Sequence, residues 1–470
     1  MRDLVSWDTQ ISLMRCLSAL NHRESLLVQQ EDVRPQQHSV HVQLLLGSQL
    51  LWTGLHDSDE KVSFVAHQVL LPAFAMWADE LGKLQSDMLN ALLDKIEDLV
   101  QGAVSSRSSS SVLPLDETKF NQHISIFEEL VPFLFSSILL TGPYIDKIET
   151  VRDVTEVEIA RFPKPSSQLT DLSTIVGSRA TLARYIYLYE AYIAEEWFAP
   201  WDGFSWATDD MIPRLLKVLR MLDMSLPRVT HVLALLFNNM CRTFGKTFVH
   251  TKVHPIFKEV LTIPEEVMDT DVPNGRTALT TCIVPIYAAG ILTSFNSEEE
   301  RKLLTSFLQE LLGTLSLTHS PLDSLKASFA ELSLVSEYHE VLLSVLWDGV
   351  VHTSALVRST AATIFELLVK GVSQSLVANR VAPALVTLAN DPEISVRIAT
   401  VPGFGAIVEN VTQREMLDKV YMQFQTFMDD PMYHDQHTML VEIIRTFARI
   451  GPNAEPRFRD DCEYKFFLYV

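Results

Sequence analysis

Apolar residues toward the C-terminus of the chain recur with the spacing of one helical face. Four of them fall at positions i, i+3, i+4 and i+7: Val381, Ala384, Leu385 and Leu388. This spacing predicts an amphipathic first helix, with Pro383 in its first turn, where a missing N–H costs little. The Asn-Asp-Pro segment at 390–392 ends that helix and can cap the next one.

A second apolar stripe follows this turn and is repeated along the chain. Its members are Val396, Ala399, Gly403 and Ile407. An offset of 39 residues carries Arg358 onto Arg397 and brings similar residues into register. The aligned pairs are Val357 and Val396, Phe365 and Phe404, Leu368 and Ile407, then Asp391 and Asp430, Phe404 and Ile443, and Ile407 and Thr446.

This period predicts the architecture. Neither helix of a pair can bury its stripe alone, so neighbouring pairs must stack. A period near 39 residues is typical of HEAT and armadillo repeats and does not fit ankyrin or tetratricopeptide repeats. The predicted fold class is therefore all-α, a HEAT/armadillo-type α-solenoid of stacked antiparallel helix pairs.

The repeat pattern weakens toward the N-terminus and is interrupted twice. A serine run predicts a linker, and Phe162-Pro163-Lys164-Pro165 predicts a long loop or extended arm, which is either functional or a tolerated insertion. The predicted divisions are N-terminal helical repeats at 1–100, the Ser-rich linker at 101–118, a helical repeat at 119–150, the extended arm at 151–180, irregular helical repeats at 181–340 with an aromatic insertion at 195–206, regular HEAT repeats at 341–460 and a non-repeat tail at 461–470.

Composition supports a folded helical chain and narrows the range of partners. Hydrophobic residues make up 47% of the 470 residues and charged residues 21%, which is typical of globular proteins. Only 16 residues are glycine, a low share that disfavours glycine-rich phosphate loops. The net charge of −21 repels phosphate backbones and anionic lipids. We therefore expect no nucleic-acid partner, and membrane association that is indirect, through partner proteins.

Candidate chemistry in the sequence is sparse. Cys16, Cys241, Cys282 and Cys462 lie far apart without a Cys-x-x-Cys motif, which favours a reduced, cytosolic compartment over a disulfide scaffold or a zinc site. The sequence contains no Walker loop, Gly-x-Ser-x-Gly elbow or His-Glu-x-x-His motif. We therefore expect no enzyme activity, no catalytic residue, no cofactor and no metal.

Charged residues at the turns of the regular repeats indicate a structural role. An Asp in the turn within a repeat and an Arg early in the second helix often pair along a HEAT-type stack. Asp391 and Arg397 occupy those places, and Arg358 and Asp430 are the equivalent residues one repeat before and one after. The alternative is a solvated turn charge with a surface arginine, and neither interpretation is catalytic.

Five aromatic residues crowd the segment EEWFAPWDGFSW at 195–206. They are Trp197, Phe198, Trp201, Phe204 and Trp206. Aromatic residues are enriched at the centres of protein interfaces, so the segment is a candidate partner-binding site. The alternative is that an irregular insertion, with Pro200 and Gly203 breaking any helix, folds back and fills the core. Exposed aromatic rings are expected for a binding site, and buried rings for core packing.

Several long strings of residues resemble the RELCH family of LisH-domain and HEAT-repeat proteins. They are IARFPKPSSQLTDLSTIVGSR (159–179), CRTFGKTF (241–248), VPIYAAGIL (284–292), HSPLDSLKASFAEL (319–332), VLWDGVVHTSALVR (345–358), RVAPALVTLANDPEISVRIAT (380–400) and GPNAEPRFRD (451–460). The resemblance covers roughly residues 50–460. The sequence shows no LisH motif and no sustained coiled-coil heptads, so it resembles the HEAT-repeat portion alone, and we expect no LisH-driven dimer.

The resemblance implies a function that the pattern of residues does not. It implies a non-enzymatic adaptor, cytoplasmic and peripheral on recycling endosomes and the trans-Golgi network. Such an adaptor binds a recycling-endosome Rab GTPase and an oxysterol-binding protein, and so tethers these membranes for cholesterol transport. Two alternatives stay open. One is a HEAT-type transport receptor or phosphatase-scaffold subunit that binds basic partners, and the other is an enzyme with a scattered active site, which requires a deep pocket with convergent titratable groups.

Overall fold

The chain forms helices that divide into two compact units. A computed structural model describes residues 51–107, 114–151, 154, 161–195, 199–222, 224–262, 279, 281–429, 436–451 and 456. Over these ranges the regular structure is helical and no strand is present, so the all-α prediction is confirmed. Unit 1 is Met1–Arg276 and unit 2 is Thr277–Val470.

Unit 1 is built around one long apolar helix. The α-helices among the described residues of this unit are α1 (Glu60–Val65), α2 (Leu71–Glu80), α3 (Asn90–Arg107), α4 (Glu117–Leu140), α5 (Leu172–Val176), α6 (Arg179–Ala194), α7 (Asp202–Trp206), α8 (Ile212–Met221), α9 (Pro227–Phe244), α10 (Lys246–Phe248) and α11 (His254–Leu261). Helix α4 packs against α2, α3, α5, α6 and α9. Among the described helices it alone is long and apolar enough to cross a bilayer, but 72% of its most apolar window is buried in the protein. Its apolar character is therefore explained by its central place in the core.

Two predicted boundaries in unit 1 are corrected. Helix α3 continues to Arg107 and α4 begins at Glu117, so both helices extend into the predicted linker at 101–118. Asp116 caps α4, because its side chain accepts a hydrogen bond from the Lys119 backbone N–H at 3.1 Å. Gly203 does not break a helix but lies within α7.

Unit 2 is a regular stack of helix pairs. The helices are α12 (Ile283–Ile286), α13 (Glu298–Leu317), α14 (Asp323–Ser333), α15 (His339–Val350), α16 (Ala355–Gly371), α17 (Gln374–Leu376), α18 (Ala382–Ala389), α19 (Ile394–Asn410), α20 (Arg414–Asp429) and α21 (His437–Ile450). First helices α13, α15 and α18 pack in one layer, and second helices α14, α16, α19 and α21 pack in the other. Each helix thus covers the apolar stripe of its neighbours, as the 39-residue offset predicts.

The equivalent positions of successive second helices are buried alike. Helices α16 and α19 each have 17 residues and start 39 positions apart. Phe365, Phe404 and Ile443 occupy the same place in α16, α19 and α21, and all three side chains are buried. The aligned apolar residues therefore form one continuous core through the stack.

Helix α19 has glycines where its neighbours come closest. A Cβ on Gly405 would lie 2.5 Å from the Cγ2 atom of Thr446 and 2.8 Å from the Nη2 atom of Arg449. The Arg449 side chain therefore lies directly across α19, where it donates to the Pro402 carbonyl at 2.9 Å and reaches Glu366 of α16 at 2.6 Å. The Arg449 side chain of α21 thus contacts both α19 and α16, so one residue links three successive second helices.

Four of the prolines within helical segments come just after a π-helical turn. The turns are Ala66–Leu70, Ala207–Met211, Val249–Val253 and Val377–Val381, and the prolines are Pro72, Pro213, Pro255 and Pro383. Proline has no N–H and its ring collides with the carbonyl four residues earlier. A π turn displaces that carbonyl and relieves the collision. Pro383 lies in the first turn of α18, as predicted, but the helical segment begins earlier, at Gln374, and runs through the π turn into α18.

Arg358 joins two successive repeats of unit 2. Its guanidinium donates to both carboxylate oxygens of Asp391, at 2.7 and 3.0 Å, and also to the carbonyls of His352 and Thr353 in its own turn. Asp391 in turn accepts from the Glu393 N–H at 2.9 Å and so orders the turn just before α19. The pair runs along the stack, from the second helix of one repeat to the turn of the next. Arg397 is buried close to Asp391, and Asp430 lies outside the described residues.

Replacing Asp391 with asparagine is expected to lower the free energy of unfolding at pH 7 by about 1.5–3 kcal/mol. The Arg358 guanidinium holds the pKa of the Asp391 carboxyl below its ordinary value. The ion pair therefore stabilises the protein at pH values above the pKa that Asp391 has in the unfolded chain. This stabilisation is lost as pH falls through the lower pKa that Asp391 has in the folded chain. Denaturant unfolding of wild type and D391N should therefore converge only as pH falls below the ordinary pKa of aspartate, about 3.9, and through the lowered pKa of Asp391. The exposed Asp418→Asn on α20 is the matched control, and an equal loss in both variants contradicts the assignment.

Candidate functional site

Arg161 holds the arm of unit 1 against two helices. Its guanidinium donates to Glu190 of α6 at 2.9 Å and to the Thr243 carbonyl of α9 at 3.4 Å, while Arg242 donates to the Arg161 carbonyl at 3.1 Å. Gly245 adopts a φ of +92°, and a Cβ there would lie 2.7 Å from the Nη2 atom of Arg161. Glycine is required at this point for both reasons.

The far end of the arm is organised by short side chains. Thr170 accepts from the Ser167 N–H at 3.1 Å and donates to the Ser167 carbonyl at 2.9 Å. The Asp171 carboxylate accepts from the Ser173 N–H at 2.9 Å and caps α5. The arm at 161–171 is therefore a defined structure, with helix α5 inside the segment predicted to be extended.

An open groove of about 920 Å³ lies between the arm and helices α4, α5, α6 and α9. The arm forms one wall with Phe162–Ser166, and α4 contributes residues one and two turns apart, among them Ser125, Glu128 and Pro132. Helix α9 contributes Asn239, Arg242 and Thr243. The wall is mainly apolar with a few convergent polar groups, which is the usual construction of a binding site.

The Glu128 carboxyl is the most perturbed group in the groove. Burial, and to a smaller extent the charge of Glu129, raises the pKa of Glu128 to about 7. The Asn239 side-chain amide donates to one Glu128 oxygen. The neighbouring Glu129 carboxylate pairs instead with the Nδ1 atom of His67 at 2.9 Å. No lysine, arginine or histidine of the described residues lies within ion-pair distance of Glu128.

This arrangement bears on the hypothesis of a scattered active site. The groove does bring the carboxyl groups of Glu128 and Glu129 together, but it is an open groove rather than a deep pocket. Within the described groove, however, neither carboxylate is hydrogen-bonded to a serine or threonine hydroxyl. The nucleophile-and-base pair of a hydrolase is thus not formed by these residues. Binding is the chemistry that the groove supports best.

The candidate aromatic site is largely part of the core. Trp201 is buried and its Nε1 atom donates to the Ile138 carbonyl of α4 at 3.0 Å. Its ring meets Tyr192 edge-on with centroids 4.9 Å apart, and the buried Phe204 packs beside it at 5.7 Å. Burial of Trp201 and Phe204 corrects the expectation of an exposed patch at these two positions.

Of the other three aromatic candidates, one belongs to the described part of the chain. Trp206 is partly exposed, and its Nε1 atom donates to the Asn90 side chain at 3.2 Å. Trp197 and Phe198 lie outside the described residues. The segment therefore does not present one apolar surface among the residues described, since two of its rings are buried between helices.

Unit 2 has exposed apolar residues that the sequence analysis did not select. Trp347 on α15 is 45% exposed and Val386 on α18 is 39% exposed. The two positions are 39 residues apart, so they occupy the same place on successive first helices. A tryptophan on the outer face of a helix is uncommon. The 39-residue offset shows that Trp347 and Val386 are equivalent, but it does not show that these positions are exposed.

The stacked helix pairs of unit 2 define the chain as a helical-repeat protein of the α-solenoid class. Residues 280–466 match a family described as the RAB11-binding protein RELCH C-terminal domain. The chain is 50% identical over 415 residues to the RAB11-binding protein RELCH homolog of Xenopus tropicalis, with 88% of this chain and 34% of the relative covered. It is 48% identical over 415 residues to the RAB11-binding protein RELCH of Homo sapiens, with 88% of this chain and 33% of the relative covered.

The chain therefore belongs to the RELCH family. It spans about a third of the length of the curated relatives it matches. The matched domain, 280–466, nearly coincides with unit 2, Thr277–Val470.

Proposed function

We propose that this chain is a scaffold that binds a Rab11-type GTPase through unit 2. The observation that carries the proposal is the agreement between unit 2 and the domain matched at 280–466, in a family whose members are named RAB11-binding proteins. A stack of helix pairs suits this role because each repeat supports its neighbours and the outer faces are free to vary. Neither a cofactor nor chemistry is needed for binding of this kind.

The exposed first-helix face of unit 2 is the surface we assign to the GTPase. Trp347 and Val386 occupy equivalent exposed positions there, on helices α15 and α18, which pack together. Buried tryptophans dominate the energy of many interfaces because each removes a large apolar area from water. Leaving this ring exposed costs stability in water, and a partner that covers it recovers that free energy.

The partner's nucleotide state provides the test. A Rab GTPase orders its switch segments only when the γ-phosphate is present, so the full chain should be retained by immobilised Rab11 loaded with a non-hydrolysable GTP analogue and not by Rab11–GDP. Trp347→Ala is expected to weaken binding by at least about tenfold. Val441→Ala on the second helix α21, a residue 44% exposed, is the control and should bind as wild type does.

Two results contradict different parts of this proposal. Equal retention by the GTP and GDP forms, or no retention by either, contradicts Rab binding itself. Nucleotide-dependent retention that W347A leaves unchanged contradicts only the assigned surface. The circular dichroism spectra of both variants should match that of wild type, since both side chains are exposed.

A finer function rests on the same family resemblance. We propose that the chain tethers recycling endosomes to the trans-Golgi network, with an oxysterol-binding protein as second partner, in support of cholesterol transport. The net charge of −21 supports attachment through partners rather than directly to anionic lipid. Sterol transfer between two vesicle populations, one bearing Rab11–GTP and one bearing the oxysterol-binding protein, should accelerate when the chain is added.

A further inference from the structure

We propose that the groove of unit 1 binds an extended peptide segment of a partner protein through one lysine or arginine side chain, which reaches the Glu128 carboxylate. This site concerns unit 1 and does not rest on the Rab-binding proposal. It also uses residues that the proposed GTPase surface does not involve.

The first argument is the state of Glu128 itself. Its carboxyl is partly buried and has one neutral hydrogen-bond partner, the Asn239 amide. A carboxylate with so little solvation is destabilised unless a cation approaches it. Among the described residues no cation does so, whereas the adjacent Glu129 is paired with His67. A cation on the ligand would therefore provide the charged partner that no described residue gives to Glu128.

The second argument is the backbone beneath Glu128. Pro132 lies inside α4, four residues further on, and lines the groove. Since proline has no N–H, it cannot donate the usual helical hydrogen bond to the Glu128 carbonyl oxygen. The Glu128 carbonyl oxygen thus lacks its usual helical donor, and the Pro132 ring adds an apolar surface to the groove beside the Glu128 side chain.

The walls indicate that the cation belongs to a peptide. Phe162, Pro163 and Leu182 form apolar walls, which suit the aliphatic stem of lysine or arginine. A volume of about 920 Å³ is near the upper end for small-ligand pockets and leaves room for the flanking residues of an extended segment. Aromatic and proline-lined grooves commonly receive extended peptides.

The lining charges make the recognition selective for a single cation. The charged and titratable groups around Glu128 are Glu129 with its partner His67, Asp171, Lys164, Arg179 and Arg242. Asp171 is engaged in capping α5, and Arg242 donates to the Arg161 carbonyl. Lys164 and Arg179 are exposed at the groove and disfavour a second cation beside the first. A polybasic tract should thus gain nothing over one basic residue.

Isothermal titration calorimetry of the full chain tests the proposal. The probe is the acetylated peptide amide with the sequence APARAPA, and the comparison peptides carry norleucine in place of arginine, or three arginines. We expect the single-arginine peptide to bind at least about tenfold more tightly than the norleucine peptide, and the three-arginine peptide to bind no more tightly. N-acetylarginine amide should bind more weakly than the peptide, because it lacks the flanking residues.

Two variants and the pH dependence locate the contact. Glu128→Gln keeps the size of the side chain and should abolish the preference for arginine, whereas the exposed Glu310→Gln on α13 makes the same charge change elsewhere and should have no effect. Because Glu128 titrates near pH 7, wild-type affinity should rise roughly tenfold between pH 6 and pH 8, and the E128Q affinity should stay flat.

Each of five outcomes overturns the proposal, and the first four concern the peptides and the two variants. They are an absence of binding heat at about 1 mM peptide, equal binding of the norleucine peptide, affinity that increases with the number of arginines, and equal losses in E128Q and E310Q. Binding of N-acetylarginine amide as tight as that of the peptide also overturns it, since the site would then recognise a small cation. The wild-type pH series keeps the test decisive even if E128Q is poorly folded.

Discussion

Replacing Phe404 with alanine is expected to lower the free energy of unfolding of unit 2 by about 3–5 kcal/mol. Phe404 lies on α19, between α16 and α21, and its side chain is fully buried. Its ring meets Phe424 and Phe427 with centroids 6.2 Å apart in each case. Truncation removes a large apolar side chain from the centre of the stack and leaves a cavity that rigid helices cannot close.

Hydrogen exchange in the full chain measures this effect within unit 2. The most protected amides of α16, α19 and α21 should exchange faster in F404A by the factor that corresponds to the lost stability, whereas amides of unit 1 provide an internal reference. The exposed Val386→Ala on α18 is the control, with an expected change within about 0.5 kcal/mol. A change in F404A as small as that of the control would show that α19 is not the centre of the stack.

The second large effect is expected in unit 1, at Trp201. Trp201→Ala should destabilise this unit by about 3–5 kcal/mol, because it removes a buried indole that packs on Tyr192 and Phe204. The Ile138 carbonyl also loses the Nε1–H donor that it accepts from at 3.0 Å. A carbonyl left without that partner adds to the loss from packing.

Trp201→Phe separates the two contributions. This variant keeps an aromatic ring but loses the donor, and its cost should be about 1–3 kcal/mol smaller than that of alanine. Protection of the α4 and α6 amides is the measurement, and the exposed Tyr187→Ala on α6 is the control. Losses in W201A no larger than in Y187A contradict a core role and restore the interpretation of Trp201 as an accessible partner site.

The two proposed binding sites lie in different units and are built from different kinds of structure. The proposed GTPase surface uses exposed apolar residues on regular repeats, whereas the proposed peptide groove depends on an arm that interrupts the repeats. The arm is held by Arg161, which contacts α6 and α9. Loss of that anchor should affect peptide binding to unit 1 and leave nucleotide-dependent Rab11 retention unchanged.

The regular repeats could be predicted from the sequence because their determinants are local and periodic. Phe365 and Phe404 were aligned by the 39-residue offset, and both are buried at equivalent places in α16 and α19. The pairing of Arg358 with Asp391 follows the same offset, since a repeated turn must meet a repeated helix. Periodicity could not identify Trp347 as exposed, because an aromatic residue on a helix fits the core equally well.

The sequence by itself determined the helical class and the stacking of the repeats. An apolar helical face that recurs every 39 residues can be buried only against the equivalent face of a neighbouring repeat. Only the tertiary structure decided which irregular residues meet. Glu128 and Asn239 are 111 positions apart, and Trp201 and Ile138 are 63 apart, yet each pair is hydrogen-bonded. No local pattern encodes such contacts, since they depend on how α4, the arm and α9 pack around one another. For the same reason the groove, and the raised pKa of the carboxyl within it, became visible only in the folded chain.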